Sequence, residues 1–406
     1  MTRAHRAIPL LLLALSLPMT AAAQFDDTCD THNLSELRKE AAGKSSLLCQ
    51  GVAYVAMGRV GEGRRILLRV VAQAPHGNAA FEAHERLLGS FARMGQVREA
   101  AREISALLAI RPNDTDVLGD SSLYQTFGQY ADMTIAHRQP VSFSPQQTEG
   151  TLNIPFTVNG GAATFYLDTG ANFSVISDAE AHALNLTVTP VNTKTQDGGG
   201  SSIEFQIADV DQLAIGPILL RHVPFLVVSA ANPPFNDLPM KSQGLLGIQV
   251  AIALQTVRLE TDGRLNLALP SKEDAKAETL TFDDMFPVLH VTYRGKVLPF
   301  TFDTGGTKTI LNPPFARDFP DVVAAGIKKD HATTGMGGTV TRRSIELPTW
   351  SVPLGTKTAS IEKMSVMLEK GNDTTEWAFG NMGINVLQKC KPFTIDFANM
   401  RLSTGP

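Results

Sequence analysis

A chain of 406 residues that is 43% apolar and 19% charged has room for two or three domains of about 100–200 residues each, and it is too apolar to be disordered. Its formal net charge of −4 lacks the basic footprint that a nucleic-acid partner requires. Its 33 glycines and 23 prolines exclude collagen-like and low-complexity architectures.

Residues 1–23 read as a cleavable secretory signal. Arg3 and Arg6 give the positive start, Ile8 to Leu17 the apolar run, and Ala21-Ala22-Ala23 an A-x-A cleavage site. That run is half of the roughly 20 apolar residues a membrane span needs. No other stretch approaches this length, so no membrane span is expected. Of the three cysteines, Cys29 and Cys49 can close a disulfide in an oxidising compartment, although the sequence leaves open whether they do. Cys390 reads as a buried small hydrophobe. With no C-x-x-C pair, no H-E-x-x-H, no G-x-S-x-G and no phosphate loop, neither a metal nor a cofactor is expected.

From about residue 33 to 130 the apolar spacing is helical. Met57–Pro75 ("MGRVGEGRRILLRVVAQAP") and Met94–Pro112 ("MGQVREAAREISALLAIRP") align, with Gly58 and Gly95 standing 37 residues apart and each 17 residues before a proline. Tyr54 and Phe91 sit on the preceding helices, and Gly61, Gly63, Ala100 and Ala101 are small enough for close helix pairing. This segment, taken as residues 24–137, resembles the tetratricopeptide family, whose usual period is 34. The resemblance implies a protein- or peptide-facing surface; a helical cap that packs on its neighbour is the competing reading. The polar stretch Arg138–Gly150 reads as a linker.

After residue 150 the pattern alternates with period two, and one unit is written twice. Val158–Ser177 ("VNGGAATFYLDTGANFSVIS") matches Tyr293–Asn312 ("YRGKVLPFTFDTGGTKTILN"), with Gly160 and Gly295 each eight residues before Asp168 and Asp303. Leu245–Val250 ("LLGIQV") matches Asn381–Val386 ("NMGINV"), so Gly247 follows Asp168 by 79 residues and Gly383 follows Asp303 by 80. Leu259-Glu260 and Ile395-Asp396 then lie at matching offsets. Two lobes are implied, at residues 151–270 and 280–406.

Paired apolar-apolar-Asp-Thr-Gly motifs with downstream glycine triplets resemble the aspartic proteases. Both lobes lie on one chain, as in pepsin, while lobe size and detail are closer to the retropepsin branch. The fold class implied is multi-domain α+β: an N-terminal α-helical repeat module followed by an all-β, bilobal, pseudo-twofold acid-protease fold over 151–406. The resemblance makes Asp168 and Asp303 the catalytic pair. Two carboxyls a few ångströms apart share one proton, and the water between them attacks the peptide carbonyl. Thr169 and Thr304 are expected to hydrogen-bond across the pseudo-twofold axis. Gly170 and Gly305 are expected to permit the tight turns and present N–H groups to the carboxylates.

Ala171 and Gly306 follow the motifs where pepsin-like enzymes commonly carry a Ser or Thr donor. Neither can donate through a side chain, which predicts raised dyad pKa values and a mildly acidic to near-neutral optimum. The glycine runs at Gly198, Gly199 and Gly200 and at Gly337 and Gly338 are candidates for flaps over a substrate, or for plain surface turns. The pepsin flap tyrosine has no counterpart, because no tyrosine occurs between Tyr166 and Tyr293. The expected partner is a peptide or protein substrate, with a further protein partner open to the helical module and no nucleic acid. The signal and the repeat-plus-protease layout point to export, to a Gram-negative periplasm rather than outside the cell. Two other readings stay open: a binding or assembly protein with a vestigial protease fold, and a hydrolase of non-peptide amides.

Overall fold

The structure is a computed structural model that describes residues 29–43, 45–144, 150–196, 202–271, 277–335, 338–369 and 377–405. The expected signal at 1–23, the run Gly198, Gly199 and Gly200, and Gly337 lie outside the described residues.

Six helices come first: α1 Leu34–Ala41, α2 Leu47–Ala56, α3 Val60–Gln73, α4 Asn78–Ala92, α5 Val97–Ile110 and α6 Thr115–Phe127. Asn33, Ser46 and Asp114 cap α1, α2 and α6 by accepting backbone N–H groups in the first turn. Gly58 and Gly95 lie just past α2 and α4 with φ of 79° and 68°, the left-handed conformation that ends a helix at little cost for glycine. In the same two turns the N–H of Arg59 bonds Tyr54 O at 2.8 Å and that of Gln96 bonds Phe91 O at 2.9 Å. Close approach of α2 and α3 rests on Gly63, where a Cβ would lie 2.5 Å from Val55 Cγ2. Gly61 faces open space instead. Cys29 and Cys49 are joined in a disulfide that ties the start of the module to α2, and Cys390 is buried and free.

The β region runs through β1 Thr134–His137, β2 Val141–Phe143, β3 Asn153–Val158, β4 Gly161–Leu167, β5 Ser174–Ser177, α7 Asp178–Ala183, β6 Val188–Gln196, β7 Ser202–Ile215, β8 Ile218–Val228, β9 Gly244–Leu246, α8 Ile248–Leu254, β10 Thr256–Leu259 and β11 Leu265–Leu267. It continues with β12 Glu278–Asp283, β13 Phe286–Tyr293, β14 Lys296–Asp303, β15 Ile310–Leu311, α9 Pro313–Asp318, α10 Pro320–Val323, β16 Ile327–Gly335, β17 Gly338–Leu354, β18 Lys357–Met367, β19 Gly380–Gly383, α11 Ile384–Lys389, β20 Phe393–Asp396 and β21 Arg401–Thr404.

Each lobe repeats one pairing scheme. β4 runs parallel to β9 as β14 does to β19, and β5 runs parallel to β8 as β15 does to β18. The hairpins β3–β4, β6–β7 and β7–β8 have counterparts in β13–β14, β16–β17 and β17–β18. Between the lobes lies the run β12-β21-β20-β10-β11-β2, whose order reads the same from either end. Its centre is the antiparallel pair β10–β20, with Val257 opposite Ile395, so the twofold passes between the two strands that match in sequence.

Three segments pair across the expected boundaries. Within the expected linker 138–150, Val141–Phe143 forms β2 on β11, the counterpart of β12 on β21. Residues 134–137, assigned to the helical domain, form β1 on the edge of the first lobe's sheet. Residues 256–267, assigned to lobe one, hydrogen-bond into the sheet of lobe two. Extended backbone needs ladder partners wherever they lie along the chain: β1 and β2 find theirs at sheet edges, while β10 and β11 find theirs inside the sheet that joins the lobes.

The helical module grips both lobes. Toward lobe two it holds the β12–β13 turn. Arg86 pairs with Asp284 at 2.9 Å, Thr31 donates to Asp283 at 2.9 Å, and His32 meets Asp283 at 3.0 Å. Arg93, 1% exposed, donates to Asp284 O at 2.6 Å and Val55 O at 2.7 Å, and its guanidinium lies 4.4 Å over the Phe282 ring. Burial pulls its pKa down to about 9, so it stays charged at neutral pH. Toward lobe one, Phe127 stacks on Phe173 at 5.1 Å between centroids, Gln249 donates to Ala92 O at 3.3 Å, and the Tyr130 hydroxyl meets that of Thr189 at 2.5 Å. Among the described residues no helix is long and apolar enough to cross a membrane.

Candidate active site

β4 and β14 carry alternating apolar residues inward, with Phe165, Leu167, Phe300 and Phe302 all buried, and each strand delivers its aspartate where the sheet ends. The two loops meet at the twofold. The Thr169 hydroxyl donates to Phe302 O at 2.8 Å and accepts from the Thr304 N–H at 3.0 Å. Reciprocally, the Thr304 hydroxyl donates to Leu167 O at 2.7 Å and accepts from the Thr169 N–H at 3.1 Å. Both threonines are buried, so these four bonds are shielded from water, and each hydroxyl is locked to the opposite lobe.

The lock brings the Asp168 and Asp303 carboxyls into hydrogen-bonding contact. Burial, then the charge of Asp303 and the hydrogen bond with it, raise the Asp168 pKa well above the ordinary carboxylate value. The N–H groups of Gly170, at 2.9 Å from Asp168 Oδ1, and Ala171, at 3.1 Å, act the other way. Asp303 Oδ1 accepts from the Gly306 N–H at 2.7 Å. Both carboxyls nevertheless remain half-buried, leaving a face for solvent or substrate.

Gly170 presents its N–H to Asp168, and the motif glycines serve a second purpose that the turn does not explain. Neither Gly170 nor Gly305 has a positive φ. A Cβ on Gly305 would lie 2.2 Å from Asp168 Cγ, and one on Gly170 would lie 2.8 Å from Asp303 Cγ. Each glycine makes room for the opposite aspartate, and it is Gly306, one residue on, that donates to Asp303.

The downstream triplets are bonded to the segments that follow each motif. Gly247 donates to Ser174 Oγ at 3.0 Å and Gly383 to Thr309 Oγ1 at 2.9 Å, while Ile248 and Ile384 bond Ala171 O and Gly306 O at 2.9 Å each. Two side chains beside the pair were not foreseen. Asn381 donates from Nδ2 to Asp303 Oδ2 at 2.8 Å, a side-chain donor that comes from the downstream triplet and not from the residue after the motif. Tyr166 has its hydroxyl pKa raised by burial and by the charges of Asp168 and Asp303. The mismatch between Leu-Leu-Gly and Asn-Met-Gly was the sequence signal for Asn381.

Of the candidate flap residues the structure describes only Gly338, and the strands flanking both runs pair as antiparallel hairpins. Gln196 pairs with Ser202 where β6 turns to β7, and Gly335 pairs with Gly338 where β16 turns to β17. Gly338 has φ of 118° with open space around it, and no contact joins it to the carboxyl pair.

Residues 154–250 match the family profile described as aspartyl protease. None of the curated proteins matches the chain. Among solved structures, a retropepsin-like aspartic protease from Rickettsia conorii aligns at 18% identity over 34% of this chain and 92% of its own, with a TM-score of 0.24. Basic 7S globulin from soybean aligns at 12% identity over 65% of this chain and 93% of its own, with a TM-score of 0.37. Conglutin gamma from lupine seeds aligns at 12% identity over 65% of this chain and 94% of its own, also with a TM-score of 0.37. The profile match spans Asp168 in the first lobe, whose pairing scheme the second lobe repeats around Asp303, and it supports an aspartic protease fold for the β region.

Proposed function

We propose that the chain is an exported aspartic endopeptidase that hydrolyses peptide bonds with a water held between Asp168 and Asp303. The observation that carries this reading is the reciprocal Thr169–Thr304 lock, which holds two half-buried carboxyls in contact. A pair that shares one proton can act at both ends of the reaction. The ionised carboxylate takes a proton from the water as its oxygen bonds to the carbonyl carbon, and the protonated partner hydrogen-bonds the carbonyl oxygen. Collapse of the tetrahedral diol then breaks the C–N bond, and the leaving amine receives a proton from the pair. The substrate is an extended peptide, read by backbone hydrogen bonds in the cleft, with the β6–β7 and β16–β17 hairpins as its flaps.

Export to a periplasm is supported by the Cys29–Cys49 disulfide, which persists in oxidising compartments. The helical module, read as tetratricopeptide-like, contributes a brace to both lobes. Leu68 of α3 and Leu118 of α6 are exposed on this module.

The test is to incubate the chain lacking residues 1–23 with a denatured protein between pH 4 and 7 and identify the fragments by mass spectrometry. Internal cleavage that a statine-type compound blocks is the expected result, since such compounds imitate the tetrahedral geometry. Intact substrate across that range overturns the reading.

A further inference from the structure

Asp168 and Asp303 are equivalent by the twofold, but their surroundings are not. Both N–H donors to Asp168 reach the same oxygen, Oδ1. Asp303 instead has one donor on each oxygen: the Gly306 N–H on Oδ1 at 2.7 Å and Asn381 Nδ2 on Oδ2 at 2.8 Å. The difference arises in one rung of the parallel pairing next to each motif. In lobe two Thr301 stands opposite Asn381, whereas in lobe one Tyr166 stands opposite Leu245. The Thr301 hydroxyl meets Asn381 Oδ1 at 2.8 Å and Gly380 O at the longer distance of 3.3 Å, so its proton goes to the amide oxygen. An amide whose oxygen is engaged by that hydroxyl has its NH2 turned toward the carboxylate. A donor of this kind stabilises the ionised form of the acid it touches.

We infer that Asn381, oriented by Thr301, is a positioning residue that keeps the negative charge of the pair on Asp303 and leaves the shared proton on Asp168. This rests on the reading of the pair as a hydrolytic dyad. It deepens that reading by giving the dyad a fixed polarity, with Asp303 as the base toward water and Asp168 as the acid toward the carbonyl. The titratable groups coupled to the pair are each other and Tyr166 of β4. Burial, and then the charge of Lys308 five residues past Asp303, lower the pKa of His331 on β16. The raised pKa of Asp168, caused first by its burial, agrees with the assignment.

The experiment compares wild type with Asn381→Leu, which installs the lobe-one residue, and with Thr301→Val, which keeps Asn381 but frees its amide. Carboxyl titrations are followed by NMR on the full chain labelled with 13Cγ-aspartate, with Asp303→Asn and Asp168→Asn spectra assigning the two signals. The pH–rate profile is measured in parallel. The lower titration of the pair and the acid limb of kcat/KM should both move up by about one pH unit in Asn381→Leu, roughly a tenfold loss of rate below the limb. Thr301→Val should move them the same way by less. The wild-type spectra should show the lower titration on Asp303. A lower titration on Asp168, or unmoved titrations in both variants, overturns the inference. A downward shift also overturns it, because it means Asn381 accepts from a protonated Asp303. If wild type cleaves nothing, the proposed activity fails while the NMR titrations still decide the role of Asn381. If Asn381→Leu does not fold, the isosteric Thr301→Val variant decides.

Discussion

Gly305→Ala should lower kcat by on the order of 10²-fold or more in a chain that still folds. A methyl at this position meets Asp168 Cγ and Oδ2 at 2.2 Å each, well inside any real contact, so the carboxyl must move. It cannot move without breaking the N–H bonds from Gly170 and Ala171 that fix it at 2.9 and 3.1 Å. A displacement of about 1 Å in a reacting group costs on the order of 10²-fold in kcat, and the shared proton is lost with the contact to Asp303. Gly61→Ala is the control: it sits within α3 with open space around it, and alanine there should leave activity intact and stability equal or slightly raised. Wild-type kcat in Gly305→Ala would show that the two loops are not packed on each other as described.

The second large effect concerns the join between the helical module and the lobes. Arg93→Ala removes a buried cation that bonds one carbonyl of the module and one of lobe two, and it empties the space over Phe282. Each charged hydrogen bond contributes about 1.5–3 kcal/mol, so a loss of about 3 kcal/mol is expected, read as a fall in the urea midpoint at unchanged slope. Arg93→Lys should recover part of it, because one ammonium cannot span both carbonyls as the guanidinium fork does. The cost should appear in unfolding of the β lobes as well as of the helices, since the turn at Asp284 belongs to lobe two. Unfolding of the helices alone, with the lobes unaffected, would contradict the brace.

Legibility of this chain followed the physics of each element. Gly58 and Gly95 marked helix ends because a left-handed residue after a helix is a local requirement, and local requirements are written locally. The paired Asp-Thr-Gly loops were equally plain, since each residue of the motif is consumed by a contact: Thr in the lock, Gly in the approach, Asp in the pair. The second role of the glycines was not legible, because steric room for an aspartate more than 130 positions away leaves no trace in the local sequence. β2 was hidden for a similar reason. Three residues in a polar stretch become a strand only because β11 offers an edge more than 120 residues later. Asn381 was visible as a mismatch between two triplets. Its meaning needed the register of β14 against β19, which sets Thr301 opposite Asn381 and places Asp303 two residues on.

The most direct measurement is kcat/KM on one cleavable peptide for wild type, Asp168→Asn and Asp303→Asn, purified alike and shown to be folded. Asparagine keeps the shape and the N–H bonds while removing the shared proton, so both variants should lose activity by about 10³-fold or more. Wild-type rates in either variant would contradict a catalytic pair at the twofold.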